Sequence, residues 1–141
     1  MFKIKIFTIG KTKESWLSLA NEEYHKRLKH QASIEWILCK GNDQLTELLE
    51  KESSWICLDP TGKTMTSQEF SLWFFKELER EGSRLNIVIG GAEGIPSSIK
   101  SKSKGLISLS KLTFTHQITR LILLEQIYRA FEIQKGSEYH K

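Results

Sequence analysis

Asn86-Ile87-Val88-Ile89-Gly90-Gly91-Ala92-Glu93-Gly94-Ile95 is the stretch on which the reading of this chain depends. The residues before Gly90 have the composition of a buried strand, and three glycines then fall within five positions. Glycine lacks Cβ, so the chain can reverse sharply there and another molecule can come close to the bare backbone. In an open α/β sheet, ligands bind beyond the carboxyl ends of the strands, where such a turn sits. A tight strand-to-helix turn without a ligand explains the same residues equally well.

Outward from this stretch, strand-like and helix-like segments alternate. Residues 2–9 alternate lysine with apolar residues and read as a strand. In residues 13–29, Trp16, Ala20, Tyr24 and Leu28 recur at helical spacing. Ile34–Leu38 reads as a short strand, Asp43–Glu50 as a short helix, and Trp55–Leu58 as a strand ended by the turn residues Asp59-Pro60-Thr61-Gly62. Thr66 and Glu69, three apart ahead of Phe70, match a capping box, and Gly82 fits that helix's stop. Residues 85–89 form the next strand, and Pro96 suits the first turn of the helix after it. Leu106–Leu109 reads as a last strand and residues 116–133 as a long closing helix. This alternation predicts one α/β domain over residues 1–141, with a mostly parallel sheet and helices on both faces.

Composition narrows the function. The chain has 141 residues, 39% hydrophobic and 27% charged, the profile of an ordinary globular domain. No apolar run approaches the roughly 18 residues of a membrane span, and the lysine-bearing N-terminus does not suit a signal peptide. Cys39 and Cys57 each fall in an apolar strand-like run, so two reduced, buried thiols in the cytoplasm are expected. There is no metal-binding spacing. A net charge of +4 suits a phosphate-bearing partner without requiring one. Lys100, Lys102, Lys104 and Lys111 cluster after the glycine turn, although a solvated face explains such a run too. G-x-G-x-x-G, G-x-x-x-x-G-K-[ST], G-x-S-x-G and H-E-x-x-H are all absent.

A second informative segment is Leu109-Ser110-Lys111-Leu112-Thr113-Phe114-Thr115-His116, where a strand ends, a loop follows and a helix begins. Thr115 suits an N-cap, which puts the free N–H groups and positive dipole end of that helix beside the loop. His116 and Arg120 are four apart and share a face. The histidine could accept a proton and the arginine could hold a phosphate; a surface histidine and an intramolecular ion pair are the plain alternatives. Glu125 and Arg129 read as an i,i+4 ion pair. Leu121, Ile122, Leu124, Ile127, Tyr128 and Phe131 make the helix apolar around much of its girth, as in a helix buried on two sides, the second by another subunit. The tail Tyr139-His140-Lys141 could stack on a base and meet a phosphate, or simply fray. His25 and His30 receive no role.

In order along the chain, Ile9-Gly10-Lys11, Leu58-Asp59-Pro60-Thr61-Gly62, Ile89-Gly90-Gly91-Ala92-Glu93-Gly94, Leu109–His116, Glu125-Gln126-Ile127-Tyr128-Arg129-Ala130 and Tyr139-His140-Lys141 resemble a known family end to end. That family is the bacterial RlmH group of the SPOUT superfamily, methyltransferases acting on N3 of a pseudouridine in large-subunit ribosomal RNA. The resemblance implies a C-terminal trefoil knot, a homodimer, and S-adenosylmethionine held by main-chain groups of three loops. Carried over, those loops contain Leu58, then Gly90 and Gly91, then Leu109, Ser110, Lys111, Leu112, Thr113 and Phe114. It also implies a cytoplasmic enzyme that acts on ribosomal RNA within the ribosome, without metal or membrane, and a tail that reaches the partner subunit's active site. Many relatives have proline where Thr115 or Gln117 stands here, and the segment around residues 40–50 is shorter than in longer members.

On this reading the imide N3 must lose its proton, and His116 and His140 are the candidate bases. Arg120 and Arg129 would steady the developing anion or hold phosphates, and Tyr139 and His140 would meet the substrate. Gly90 and Gly91 would give the cofactor room against the backbone. The sparse basic surface suits an assembled ribosome better than free RNA. Two other readings stand beside this one: an α/β enzyme using another nucleotide such as NAD or ATP, and a non-catalytic RNA-binding module of the same fold.

Overall fold

A computed structural model describes residues 1–141. The elements in chain order are β1 (Phe2–Ile9), α1 (Ser15–Leu28), β2 (Ala32–Cys39), α2 (Asn42–Leu49), β3 (Ile56–Thr64), α3 (Ser67–Arg80), β4 (Arg84–Ile89), α4 (Ser97–Lys102), β5 (Gly105–Ser108) and α5 (His116–Lys135). The five strands form one sheet in the order β2-β1-β4-β3-β5, and every pairing is parallel. No helix is long and apolar enough to cross a membrane.

Strand side chains alternate between faces, and the two faces bury separate cores. On one, Ile4, Ile6, Ile87 and Ile89 pack with Phe74 and Leu78 of α3 and with Leu123, Leu124 and Ile127 of α5. On the other, Phe7, Cys57 and Val88 meet Leu45 and Leu49 of α2 and Ile99 of α4. The helices thus cover both faces, as the alternation of segments predicts. Phe75 and Phe131 meet edge-to-face at 5.0 Å and 89°, joining α3 to α5. Cys39 and Cys57 are free and buried, and burial pushes the Cys57 thiol up to about 11.

Local chemistry sets the helix ends. Thr66 accepts from the Glu69 N–H and Glu69 accepts from the Thr66 N–H, a complete capping box. The Thr115 hydroxyl accepts from the Ile118 N–H at 3.2 Å and opens α5. Gly136, at φ 74°, closes it two residues beyond the expected end.

One expectation is corrected. Asp59-Pro60-Thr61-Gly62 does not end its strand, because β3 continues to Thr64. Leu58 and Lys63 both stand opposite Ile107, so the four residues between them are pushed out as a bulge. The Asp59 carboxylate accepts from the Thr61 N–H at 3.0 Å and from its hydroxyl, which holds the local turn that the sequence signals. A Cβ on Gly62 would lie 2.6 Å from main-chain atoms of Leu106 and Ile107, so this glycine permits a close backbone crossing with β5.

Candidate functional site

Because β4, β3 and β5 are neighbours in the sheet, the β3 bulge and the loops after β4 and β5 converge although they are far apart in sequence. Between them lies a cavity of about 290 Å³. Leu58, Gly90, Gly91 and Leu109 through Phe114, the residues expected at the cofactor, all line it. His116 lines it too, with Ile95 of the glycine stretch, Asp59 and Pro60 of the turn run, and Thr119, which had no sequence feature marking it out.

The glycine turn closes on itself. The Gly94 N–H donates to the Gly91 carbonyl at 3.0 Å, and Gly94 sits at φ +80°, where side chains are strained. A Cβ on Gly90 would come within 2.9 Å of Gly94 and Ile95, and one on Gly91 within 3.1 Å of Ile9. Both glycines line the cavity, and the nearest atoms that their missing Cβ spares are the protein's own. Gly90 lets the turn close on itself, and Gly91 lets it pack against Ile9 of β1.

Opposite properties mark the loop between β5 and α5. Its polar side chains brace it, with the Ser108 hydroxyl donating to the Ser110 carbonyl at 2.7 Å and the Leu112 N–H donating to the Ser110 hydroxyl at 3.0 Å. The main-chain groups of Leu109, Lys111, Thr113 and Phe114 make no hydrogen bond within the chain. Donors and acceptors of fixed geometry thus border a cavity with apolar walls at Leu58, Ile95 and Phe114. Main-chain groups of this kind can read the edge of a purine while the walls take its faces.

His116 stands at the first turn of α5, half-buried, with Nδ1 enclosed and unpartnered. Burial, then the charges of Arg120 and Lys13, hold its proton affinity below that of an ordinary histidine. It is therefore neutral and able to accept a proton. Arg120 departs from the substrate-facing placement expected of it, since it is 0% exposed. Its Nη2 donates to the Ile9 and Gly10 carbonyls at 2.8 and 2.9 Å, and its Nη1 to Thr12 Oγ1 at 3.1 Å. In this arrangement Arg120 fastens the turn after β1 onto α5.

The tail folds back on its own helix. Tyr139 donates to Glu125 at 2.7 Å, and Arg129 meets His140 Nδ1 at 2.9 Å and lies over the Tyr139 ring at 4.8 Å. Arg129 also donates to Glu125 at 2.8 Å. Burial opposes ionisation of Glu125, but the bonds from Arg129 and Tyr139 prevail and keep its carboxyl below the usual range. Burial and the Glu125 carboxylate hold the Tyr139 phenol well above its own, so it remains a donor. Glu125 is nine positions beyond His116, about 13 Å along the helix. The structure thus joins Arg129, Tyr139 and His140 in one cluster, away from the cavity of the same chain.

The lysine run after the glycine turn divides on inspection. Lys100 pairs with the buried Asp59 at 3.2 Å and Lys104 with Glu81, which leaves Lys111 as the member lining the cavity. No group of three or more His, Cys, Asp or Glu side chains is placed to hold a metal ion.

Residues 2–140 match the family described as "Predicted SPOUT methyltransferase". Ribosomal RNA large subunit methyltransferase H of Protochlamydia amoebophila is 60% identical to this chain over 141 residues, covering 100% of each. Proteins of the same name from Coprothermobacter proteolyticus and Streptococcus uberis are 37% and 39% identical, with 99% of each chain covered.

Proposed function

The chain belongs to the SPOUT methyltransferase family, and from that premise we propose that it is an S-adenosylmethionine-dependent enzyme that methylates N3 of a pseudouridine in large-subunit ribosomal RNA, acting in the cytoplasm on the assembled ribosome. The observation that carries this reading is the unpaired main chain of Leu109, Lys111, Thr113 and Phe114 bordering the cavity beside His116. When bound, the cofactor supplies a methyl group already activated for transfer, so the protein has chiefly to align the acceptor and remove its proton.

Leu109 through Phe114 would hold the adenine edge through main-chain groups, with Leu58 and Ile95 as apolar walls and the Gly90–Gly91 turn closing the cavity. His116, neutral for the reasons given above, takes the imide proton. Arg120 acts as a positioning residue, keeping the turn after β1 seated on α5. Arg129, Tyr139 and His140 meet the substrate from a second copy of the chain, since they lie too far along α5 to serve their own cavity. A homodimer is supported by the apolar surface that α1 and α5 leave open. Leu19 is 67% exposed and Trp16 54% exposed, beside a groove lined by Ala20, Tyr24, Leu121 and Ile122. We place the family's trefoil knot where the chain after β5 returns to pack α5 on α1 and α3, within one domain spanning residues 1–141.

The direct test incubates the protein with labelled S-adenosylmethionine and ribosomes lacking the modification, then maps the methylated base. Incorporation at N3 of a pseudouridine is expected. Ribosome association without incorporation would leave a non-catalytic module, and thermal stabilisation by NAD or ATP but not by S-adenosylhomocysteine would indicate another nucleotide enzyme.

A further inference from the structure

The turn after β1 is held to the start of α5 more firmly than a surface connection requires. Arg120 takes the Ile9 and Gly10 carbonyls and the Thr12 hydroxyl. Gln117 takes the rest: its Nε2 donates to the Lys11 carbonyl at 3.0 Å, and its Oε1 accepts from the Lys13 N–H at 2.9 Å. Gly10, at φ +74°, makes the sharp turn that brings this segment over the carboxyl end of the sheet. There Ile9 abuts Gly91 of the cavity wall. The product of this fixing is two exposed lysines on a rigid backbone: Lys13, whose charge acts on His116, and Lys11, whose carbonyl is held by Gln117, the residue after His116. Neither is in an ion pair, whereas Lys100 and Lys104 on the α4 side are neutralised by Asp59 and Glu81. The nearby carboxylate in sequence, Glu14, is exposed and forms no ion pair either. Lys111 adds a third free cation on the cavity itself.

We propose that Lys11 and Lys13 contact the phosphates flanking the target nucleotide, and that the Gln117–Arg120 clamp positions them to do so. The inference rests on the rRNA methyltransferase reading and deepens it at the level of the substrate. A base that enters the cavity beside His116 brings its flanking phosphates to the cavity mouth, where the fixed turn places these two cations. Holding the backbone in advance reduces what must be ordered when RNA arrives. Phosphate contacts position a nucleic acid without reading its sequence, which suits a site that selects its base inside the cavity.

The test compares the wild-type protein with the Lys11→Gln/Lys13→Gln double variant and a Lys11→Arg/Lys13→Arg control. KM for unmodified ribosomes is measured between 50 and 200 mM salt, and S-adenosylhomocysteine affinity by calorimetry. The glutamine variant should raise KM roughly tenfold at low salt and flatten the dependence of log KM on log salt by about 1.4 to 1.8 units. Its S-adenosylhomocysteine affinity should match that of the wild type, and the arginine control should keep KM low. An unchanged KM and salt slope beside an active wild type would overturn the proposal alone. So would an arginine control as impaired as the glutamine variant, since it retains the charge. A wild-type protein that transfers no methyl group to ribosomes would overturn the functional reading and this proposal with it.

Discussion

At the scale of single residues, the geometry separates groups that chemistry of side chains alone would have pooled. His116 and Arg120 share one face of α5, yet one borders the cavity and the other is fully enclosed. His116→Asn should slow single-turnover methyl transfer by roughly 10² while leaving S-adenosylhomocysteine binding intact, as expected on loss of a general base. Burial and two neighbouring cations favour its neutral form in the folded protein. The folded state therefore binds its proton more weakly than the unfolded chain, whose pKa is about 6.5. The stability His116 contributes is fully present above that value and is lost as pH falls toward its lower folded pKa. The acid limb of the pH–rate profile should accordingly lie below about pH 6.5 and disappear in the asparagine variant. Arg120→Met should cost about 1–3 kcal/mol in urea unfolding, because the Ile9 and Gly10 carbonyls lose their donors. Nothing in the spacing of Arg120 announces its burial, because its partners are about 110 residues away. The contacts of Lys100 and Lys104 are hidden for the same reason.

Elements were more legible than contacts, because the physics that makes them is local. Periodicity, the Thr66–Glu69 box and the Thr115 cap place helices to within a residue or two of their observed ends. The β3 bulge shows where local reading stops. Asp59-Pro60-Thr61-Gly62 does form a turn, but pairing with β5 resumes beyond it, and that pairing is non-local. Gly62 looks like a turn residue and is instead the point where two backbones nearly touch. Gly62→Ala should therefore destabilise the fold by roughly 1–3 kcal/mol, the usual cost of overpacking. The same change at Gly41, where a Cβ would meet nothing within 4 Å, should be far milder in the same denaturation assay. The cavity-lining loops could be picked out beforehand because the glycine turn and the Leu109–Phe114 segment keep their character over several residues. Thr119, which also lines the cavity, carries no such mark.

For the whole molecule, the apolar girth of α5 was visible in sequence, but the folding back of the tail was not, since it depends on Glu125 and Arg129 lying beneath it. The proposed dimer makes a sharp prediction. Leu19→Glu changes a residue that is 67% exposed and so should leave the thermal midpoint of an isolated chain nearly unchanged. It should nevertheless convert a dimer to a monomer in sedimentation and abolish methylation, because each cavity would lose the other chain's tail. His140→Ala should keep the dimer and cofactor binding while depressing turnover. Mixing the impaired His116→Asn chain with the impaired His140→Ala chain should restore part of the activity, because one of the two sites in a mixed dimer is intact.

The cavity has no single owner along the chain: its three walls come from the β3 bulge and the loops after β4 and β5, and Gly62 lies directly against Leu106 and Ile107. A ligand seated there ties together strands whose residues span 56 to 108. At a hundred times its dissociation constant it adds about 2.7 kcal/mol to every opening that breaks the cavity. Hydrogen exchange should report this as slower exchange in all three strands together, while the far edge strand β2 changes only where its exchange needs global unfolding.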